Sequence, residues 1–317
     1  MKSKPINQII KNFMEEYKRL SNRALITLKL TPKEPLHIGT GAKEFYSPTI
    51  KIKSIDNKEY VYIPESSIRG VLRRISESIV KASINAFNGY ERKLVEAHYE
   101  PEEDIIRHLG VIDIAKEIVQ DEDLLKQFIP EDEIGEVVKQ IKSGKPPDEM
   151  LKKIETLLAL LCPICRLWGS IGLRSKIIIR DVLISNYKLH PYTRVSVDRK
   201  SQMQAKGRLF SIEKTYIPSI ELNIIVTNVK PGSSEALILA SLLEYIKNLG
   251  ISIGGMKSIG LGYLELDTEK SNVVYVDYEK VCLEEKNIDK CLNMLVNPWE
   301  YGNKISINEY ITFLKKE

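Results

Sequence analysis

Four short stretches of this 317-residue chain carry residue types at spacings that can do chemistry. Residues 254–262, GGMKSIGLG, place four glycines in nine positions around Lys257 and Ser258. Side chains absent at glycine let backbone N–H groups approach a phosphate chain, and Lys257 adds a point charge. Gly254, Gly255, Lys257, Ser258, Gly260 and Gly262 are therefore candidate polyanion contacts. The loop is not a P-loop, because counting from Gly250 the phosphate lysine falls on Met256. It does not open a helix either: a strand pattern follows it. Residues 63–74, IPESSIRGVLRR, put Ser66, Ser67 and Arg69 at a predicted helix start, with Arg73 one turn further on. Free N–H groups there favour phosphate, although a serine serves equally as a plain N-cap. Residues 193–218 hold Arg194, Arg199, Lys200, Lys206, Arg208 and Lys214 against Asp198 and Glu213. Such a polar stretch reads as an arm in which Arg194 and Arg199 hold phosphates while Met203 and Phe210 wedge against bases or a partner.

The fourth stretch is CPIC at 162–165. A lone C-x-x-C reads as zinc, redox or buried thiols. A redox pair opens a helix after a strand, whereas this one closes the apolar run IETLLALL at 154–161, which disfavours redox. Zinc takes about four N or S ligands, and His98 and His108 join Cys162 and Cys165 as the candidate set. Cys282 and Cys291, nine apart in the tail, are poorer candidates, and four cysteines in a chain this long do not read as a disulfide framework. No serine–histidine–acid site, HExxH or EF-hand is present. His37, at a strand end beside the glycines 39 and 41, reads as a strand-edge histidine with a backbone partner.

The elements that position these stretches follow from periodicity. Residues 6–20 predict a helix through Ile6, Ile9, Ile10, Phe13 and Tyr17. Residues 24–38 predict a half-buried strand, 50–63 a hairpin, and 66–86 a helix capped by Ser66 or Ser67. Residues 90–160 are helical and acidic, broken by Gly110, Pro130, Gly144 and Pro146–Pro147, and read as an insertion. Residues 173–185 predict one strand with Ile177, Ile179 and Val182 buried. Arms at 192–198 and 207–217 flank a basic tip. Strand 220–229, helix 234–249 between Ser233 or Ser234 and Gly250, and a last strand complete the core. A final helix falls at 306–315. The order fits an α+β, ferredoxin-like (RRM-like) βαββαβ core with helices on one face.

Composition narrows the class. Hydrophobic residues at 43% supply a sizeable core and charged residues at 28% exclude collagen, mucin or full disorder. No apolar run reaches the ~18 residues of a membrane span, and the acid-bearing N-terminus does not read as a signal peptide, so a reducing cytoplasm is expected. Abundant Ile, Lys and Glu are compatible with a thermophile. Residues 162–218 carry eleven basic and three acidic side chains, whereas 86–161 carry ten and eighteen. A basic block beside an acidic insertion points to one face that attracts a polyanion.

Together, LHIGTG…SP, IPESSIRGVLRR, CPICRLWGS, TRVSVDRK…GRLFSIE and GGMKSIGLGYLEL, in this order over residues ~36–266, resemble the RAMP superfamily. The likeness is to the backbone RNA-binding subunit of type III CRISPR effector complexes. The resemblance implies an N-terminal helical arm (1–23), an RNA-binding core (24–85 and 162–270), a β-hairpin thumb (193–217), an acidic helical lid (86–161) and a tail (271–317). It implies subunits stacked with other RAMP subunits along a guide (crRNA) that pairs with target RNA, and no membrane. Ser67, Arg69, Arg73, Lys257, Gly255, Gly260 and Gly262 would touch guide backbone, and a structural zinc would sit on the C-x-x-C. Slicing relatives place an aspartate two residues before a loop proline. Here Tyr46 stands at that place, before Pro48, and Glu44 is displaced by two, so target cleavage by this subunit is not expected. The competing readings are a metal-dependent ribonuclease using Glu44 or Asp56, and a repeat-processing endonuclease using His37 with Tyr46 or Lys257.

Overall fold

The computed structural model describes residues 5–39, 46–55, 57–98, 108, 111–144, 147–197 and 204–316. In chain order these form α1 (Ile6–Lys18), β1 (Asn22–Pro32), β2 (Tyr46–Ser47), β3 (Lys51–Lys53), β4 (Glu59–Ile63), α2 (Glu65–Ala82), α3 (Gly89–His98), α4 (Ile112–Ile118), α5 (Glu122–Leu125), α6 (Glu131–Lys142), α7 (Asp148–Leu161) and α8 (Pro163–Trp168). Then follow β5 (Ile177–Ile179), β6 (Val182–Ile184), β7 (Lys188–Val197), β8 (Gln204–Tyr216), β9 (Ile220–Thr227), α9 (Ser234–Leu249), β10 (Ile251–Ser252), β11 (Tyr263–Asp277), α10 (Ile288–Val296), α11 (Pro298–Tyr301), β12 (Asn303–Ser306) and α12 (Ile307–Leu314).

The central sheet runs β10-β11-β1-β9-β5, every neighbouring pair antiparallel, with β12 also on β11. Alternation in β1 buries Ala24, Ile26, Leu28 and Leu30, and the register sets Ile26 against Ile224 and Leu28 against Leu222. Each of the Ile and Leu side chains, fully buried, contributes about 1.5–3 kcal/mol. A bulge between Thr27 and Lys29 is held by the Ser271 hydroxyl, which accepts from the Lys29 N–H at 2.9 Å. Helices α2 and α9 pack on the buried face, α2 through Ile68, Leu72 and Val80. Helix α9 starts at Ser233, whose hydroxyl accepts from the Ala236 N–H at 3.2 Å, and stops at Gly250, where φ is +66°. This α+β arrangement of antiparallel sheets is compatible with a ferredoxin-like fold.

Two smaller sheets flank the first: β3-β4-β6, and β7-β8 with β2 added in parallel. Several expectations need correction. Residues 173–185 do not form one strand; the chain turns at Arg180–Asp181, sending β5 to the central sheet and β6 to β4, although Ile177, Ile179 and Val182 are buried. Neither Ser66 nor Ser67 caps α2. The helix starts after Pro64, and the Asp181 carboxylate accepts from the Glu65 N–H at 2.6 Å, so the cap comes from a residue far along the chain. CPIC closes α7 but also opens α8, with Cys162 between the two helices. Strand β11 runs through residue 270 to Asp277, so the first part of the expected tail belongs to the central sheet. Cys282 and Cys291, weighed only as poorer zinc candidates in a chain without a disulfide framework, form a disulfide with Cα atoms 5.2 Å apart; Tyr278, Val281 and Met294 fold the π-helical turn Glu279–Glu284 against α10 and bring the pair together. Helix α1 packs against α4 and α7 of the acidic insertion. No helix among the described residues is long and apolar enough to cross a membrane.

Candidate metal centre and nucleic-acid interface

His98 ends α3, His108 lies just before α4, and Cys162 and Cys165 bracket the first turn of α8. All four are buried, and their ligand atoms lie within 4.8 Å of one another. The Cys162 Sγ is 4.0 Å from His98 Nδ1, and Cys165 Sγ is 3.7 Å from His98 Nδ1 and 3.8 Å from His108 Nε2. Each imidazole is oriented by a carboxylate on its other nitrogen: His98 Nε2 lies 3.2 Å from Glu77 Oε1, and His108 Nδ1 lies 2.8 Å from Glu155 Oε1. Glu77 accepts in turn from Arg73 Nε at 2.9 Å. Paired carboxylates behind the histidines are the outer shell a metal site needs to fix ring orientation and raise ligand basicity.

The electrostatics agree. Burial works against charge on both rings, but hydrogen bonds with Cys162 and the glutamates outweigh it, raising His98 and pushing His108 up to about 9. Burial also opposes a Cys162 thiolate, yet hydrogen bonds from Cys165, His108 and His98 pull that thiol well below its usual range. The hydrogen bond with Cys162, then burial, pushes Cys165 well above it. A thiol pulled down beside imidazoles pushed up marks a site where a divalent cation can take the place of the shared protons. The four residues fit a metal ion in donor type, spacing and support.

Arg166, inside the same CPICRLWGS stretch, anchors the cysteine-bearing helix. Its guanidinium donates to Glu235 at 2.7 and 3.1 Å, to Glu91 at 2.8 Å, and to the carbonyls of Leu160 and Leu161. Lys176 also donates to Glu235, at 3.0 Å. This buried cluster joins α3, α8, α9 and the entry to β5.

The glycine loop is built differently from the expectation. Gly254 and Gly262 have φ of +90° and +84°, and a Cβ there would run into the His37 and Ile253 carbonyls. These two glycines serve close backbone approach, and much of the loop's N–H supply is already used. Gly255 N–H donates to the His37 carbonyl at 2.7 Å, Gly262 N–H to Pro35 at 2.9 Å and Gly260 N–H to Lys257 at 3.0 Å. Lys257 and Ser258 remain exposed.

Arg69 and Arg73 point into protein. Arg69 donates to Glu65 at 3.0 Å, Ser175 at 3.3 Å and the Ile177 carbonyl at 3.2 Å. Arg73 donates to Glu77 and, at 3.3 Å, to the Gly169 carbonyl. The next residue, Arg74, faces outward. Arg74 and Lys257 line a groove of about 550 Å³ between α2, the end of α9 and β10, with Ile75, Ser78, Tyr245 and Tyr263. Partial burial, then the Arg74 charge, pushes the Lys257 ammonium below the usual lysine range. Neither cation has a carboxylate partner among the described residues. Ser66 is exposed and Ser67 half-buried on the first turn of α2.

Strands β7 and β8 form the expected hairpin, with Arg194 opposite Phe210 and only partly exposed. Arg199 and Met203 lie outside the described residues, as do Glu44 and Asp56. His37 is buried, its Nδ1 2.9 Å from the Glu213 carbonyl and its Nε2 3.3 Å from Ser47 Oγ. That is the strand-edge histidine expected, held between the glycine loop and the thumb base. Arg74, Glu77 and Glu155 were missed as site residues. A signal existed for each: Arg74 sits in the RR pair of IPESSIRGVLRR, Glu77 lies one turn after Arg73, and Glu155 is a lone carboxylate in the apolar run 154–161.

The family model of the RAMP superfamily matches residues 29–265, most of the chain. No curated protein matches it.

Proposed function

The chain belongs to the RAMP superfamily, and from that premise we propose that it is a guide-RNA (crRNA) binding subunit of a type III CRISPR effector complex that does not itself cut target RNA. Family membership implies a CRISPR-associated, RNA-binding role. The observation that carries the finer reading is the groove in which Arg74 and Lys257 sit together without an acid. Two cations so placed repel each other, and a phosphodiester chain removes that cost. Support also comes from the strand order β11-β1-β9-β5 with α2 and α9 on one face, which we read as a βαββαβ core. On this reading α3–α7 form the lid and β7–β8 the thumb, and the partners are guide and target RNA with other RAMP subunits.

We read the metal as zinc. With Zn–S of about 2.3 Å and Zn–N of about 2.0 Å, tetrahedral ligands stand about 3.3–3.8 Å apart, close to the 3.7–4.0 Å observed. Four protein ligands leave no open position, so zinc would be structural and would pin the lid to α8. The absence of slicing rests on Tyr46 at the place of the relatives' aspartate, since a phenol is neutral near pH 7 and a poor divalent-cation ligand.

The test is guide retention by the assembled complex. Arg74→Ala with Lys257→Ala should release guide RNA at a lower salt concentration than wild type. Equal retention across the salt range would reject the groove as a guide site. Arg69→Ala should act on stability rather than on retention.

A further inference from the structure

The face of the central sheet opposite α2 and α9 carries a second basic groove. Along β1, β5 and β9 the residues that alternate with the core, namely Arg23, Ile178, Asn223 and Ile225, with Arg180 directly after β5, point away from the helices. Two adjoining depressions cover this face. One, of about 450 Å³, lies under the end of α1 and includes Arg19, Arg23 and Arg174. The other, of about 260 Å³, runs to α11 and includes Arg23, Arg180 and Trp299. Arg23 and Ile225 line both, so the two depressions adjoin along one basic channel-like face.

Its charge is one-sided. Arg23, Arg174 and Arg180 make no ion pair among the described residues, Arg19 feels only the charge of Glu15, Arg23 lies 5.7 Å from the Tyr278 ring, and the nearby Glu221 is already paired with Lys29. Arg23 Nε is buried without an acceptor. Arg19, Arg174 and Arg180 are exposed, Ile178 is 37% exposed and Trp299 is 49% exposed. A buried guanidinium N–H lacking an acceptor costs free energy that an incoming anion recovers.

We propose that this channel binds a single-stranded RNA segment, as a second nucleic-acid contact on the side of the sheet away from the Arg74–Lys257 groove. Guanidinium forks match phosphates, the apolar floor of Ile178 and Ile225 accepts ribose and base faces, and Trp299 offers a stacking surface at the far end. An acidic protein segment would use the arginines but leave the exposed indole without a role. The proposal does not depend on the guide groove.

Trp299 makes the test direct, because Trp168, the other tryptophan, is buried. The full chain is titrated with a labelled mixed-sequence single-stranded RNA, following both affinity and tryptophan fluorescence. Wild type should show quenching that saturates with binding. Arg174→Glu with Arg180→Glu, both exposed, should abolish the quench and lower the log-affinity versus log-salt slope by about 1.4, from ~0.7 per phosphate contact. Arg74→Glu with Lys257→Glu should leave the quench in place, which separates this site from the guide groove. An unchanged quench and slope in the Arg174/Arg180 variant overturns the proposal. So does a quench lost only in the Arg74/Lys257 variant, or a polyglutamate peptide that binds more tightly than RNA. Melting curves equal to wild type exclude misfolding as the cause of a lost quench, and Arg174→Ala with Arg180→Ala serves as a second variant if the reversal of charge lowers stability.

Discussion

Replacing Glu235 by alanine removes the anion at the centre of the buried cluster that holds α8 to α9. Glu235, Arg166 and Lys176 are 3%, 1% and 4% exposed. After truncation Arg166 still reaches Glu91 and two carbonyls, but among the described residues Lys176 keeps only the Tyr17 ring, 5.7 Å from its Nζ. Removing one partner of a buried pair costs about 3–5 kcal/mol, because the other charge stays behind in a medium that cannot solvate it. Whole folds hold about 5–15 kcal/mol, so the variant should sit close to the edge of stability. In equilibrium urea unfolding, with a slope near ~3 kcal/mol per molar, the midpoint should fall by about 1–2 M. Adding Lys176→Met should restore a good part of the loss, since it withdraws the stranded ammonium. Burial disfavours the Glu235 carboxylate, but Arg166 and Lys176 prevail and hold it far below the usual carboxylate range. Its folded value is depressed, so the contribution is complete above the unfolded carboxylate range and is lost only as pH falls through the folded value. The gap between wild type and Glu235→Ala should therefore stay constant from about pH 8 to about pH 5 and close only in stronger acid. A midpoint shift under about 0.3 M, or a double variant no better than the single one, would refute this account.

Three further outcomes are expected. Protein prepared without chelator should carry about one zinc per chain, and Cys165→Ser or His108→Ala should bring metal content below about 0.2 and lower the melting temperature; full occupancy in both variants would reject the cage. In a reconstituted complex with labelled target RNA and magnesium, no product should map opposite this subunit; a wild-type product abolished by a change within residues 39–48 would show that the loop cuts. Deleting 198–208 should leave the melting transition in place, because β7 and the remainder of β8 keep their ladder from Lys188–Tyr216 to Val195–Leu209, while assembly along RNA weakens; loss of the transition would make the hairpin tip part of the fold.

The parts of the fold that were legible in sequence are those where period and punctuation agree. Ser233 and Gly250 bracket α9 as read, and the alternation of β1 and β9 gives the sheet interior directly. What was not legible depends on partners distant in sequence. Asp181 supplies the cap that Ser66 and Ser67 were expected to give, and the split of β5 from β6 is decided by β9 and β4 competing for the same stretch. The members of the candidate metal cluster could be read from residue type alone, since His, His, Cys and Cys have few other reasons to meet. The arginines could not, because a guanidinium looks the same in sequence whether it faces Glu65, Glu77 or solvent. Arg69 and Arg73, candidate guide contacts in sequence, donate to Glu65 and Glu77 in the fold, whereas Arg74, one position on, lines the groove. The glycines of 254–262 were read as exposed amides, and two of them exist because backbone passes close to His37 and Ile253.

Arg73 and Arg74 give α2 two outputs on one shaft. Each residue advances an α-helix by about 100°, and that single step separates a side chain braced on Glu77, behind His98, from one that faces Lys257. Substitutions at the exposed positions of α2 leave this phase unchanged, but an inserted or deleted residue anywhere from Glu65 to Leu72 would turn the whole downstream face. It would point Arg74 or its replacement at the wrong neighbour and leave Glu77 unable to steady the imidazole. The phase of this helix therefore depends on its length as well as on its buried side chains. Grafting the segment into a related scaffold should succeed with many exposed side chains altered and fail with one residue gained or lost.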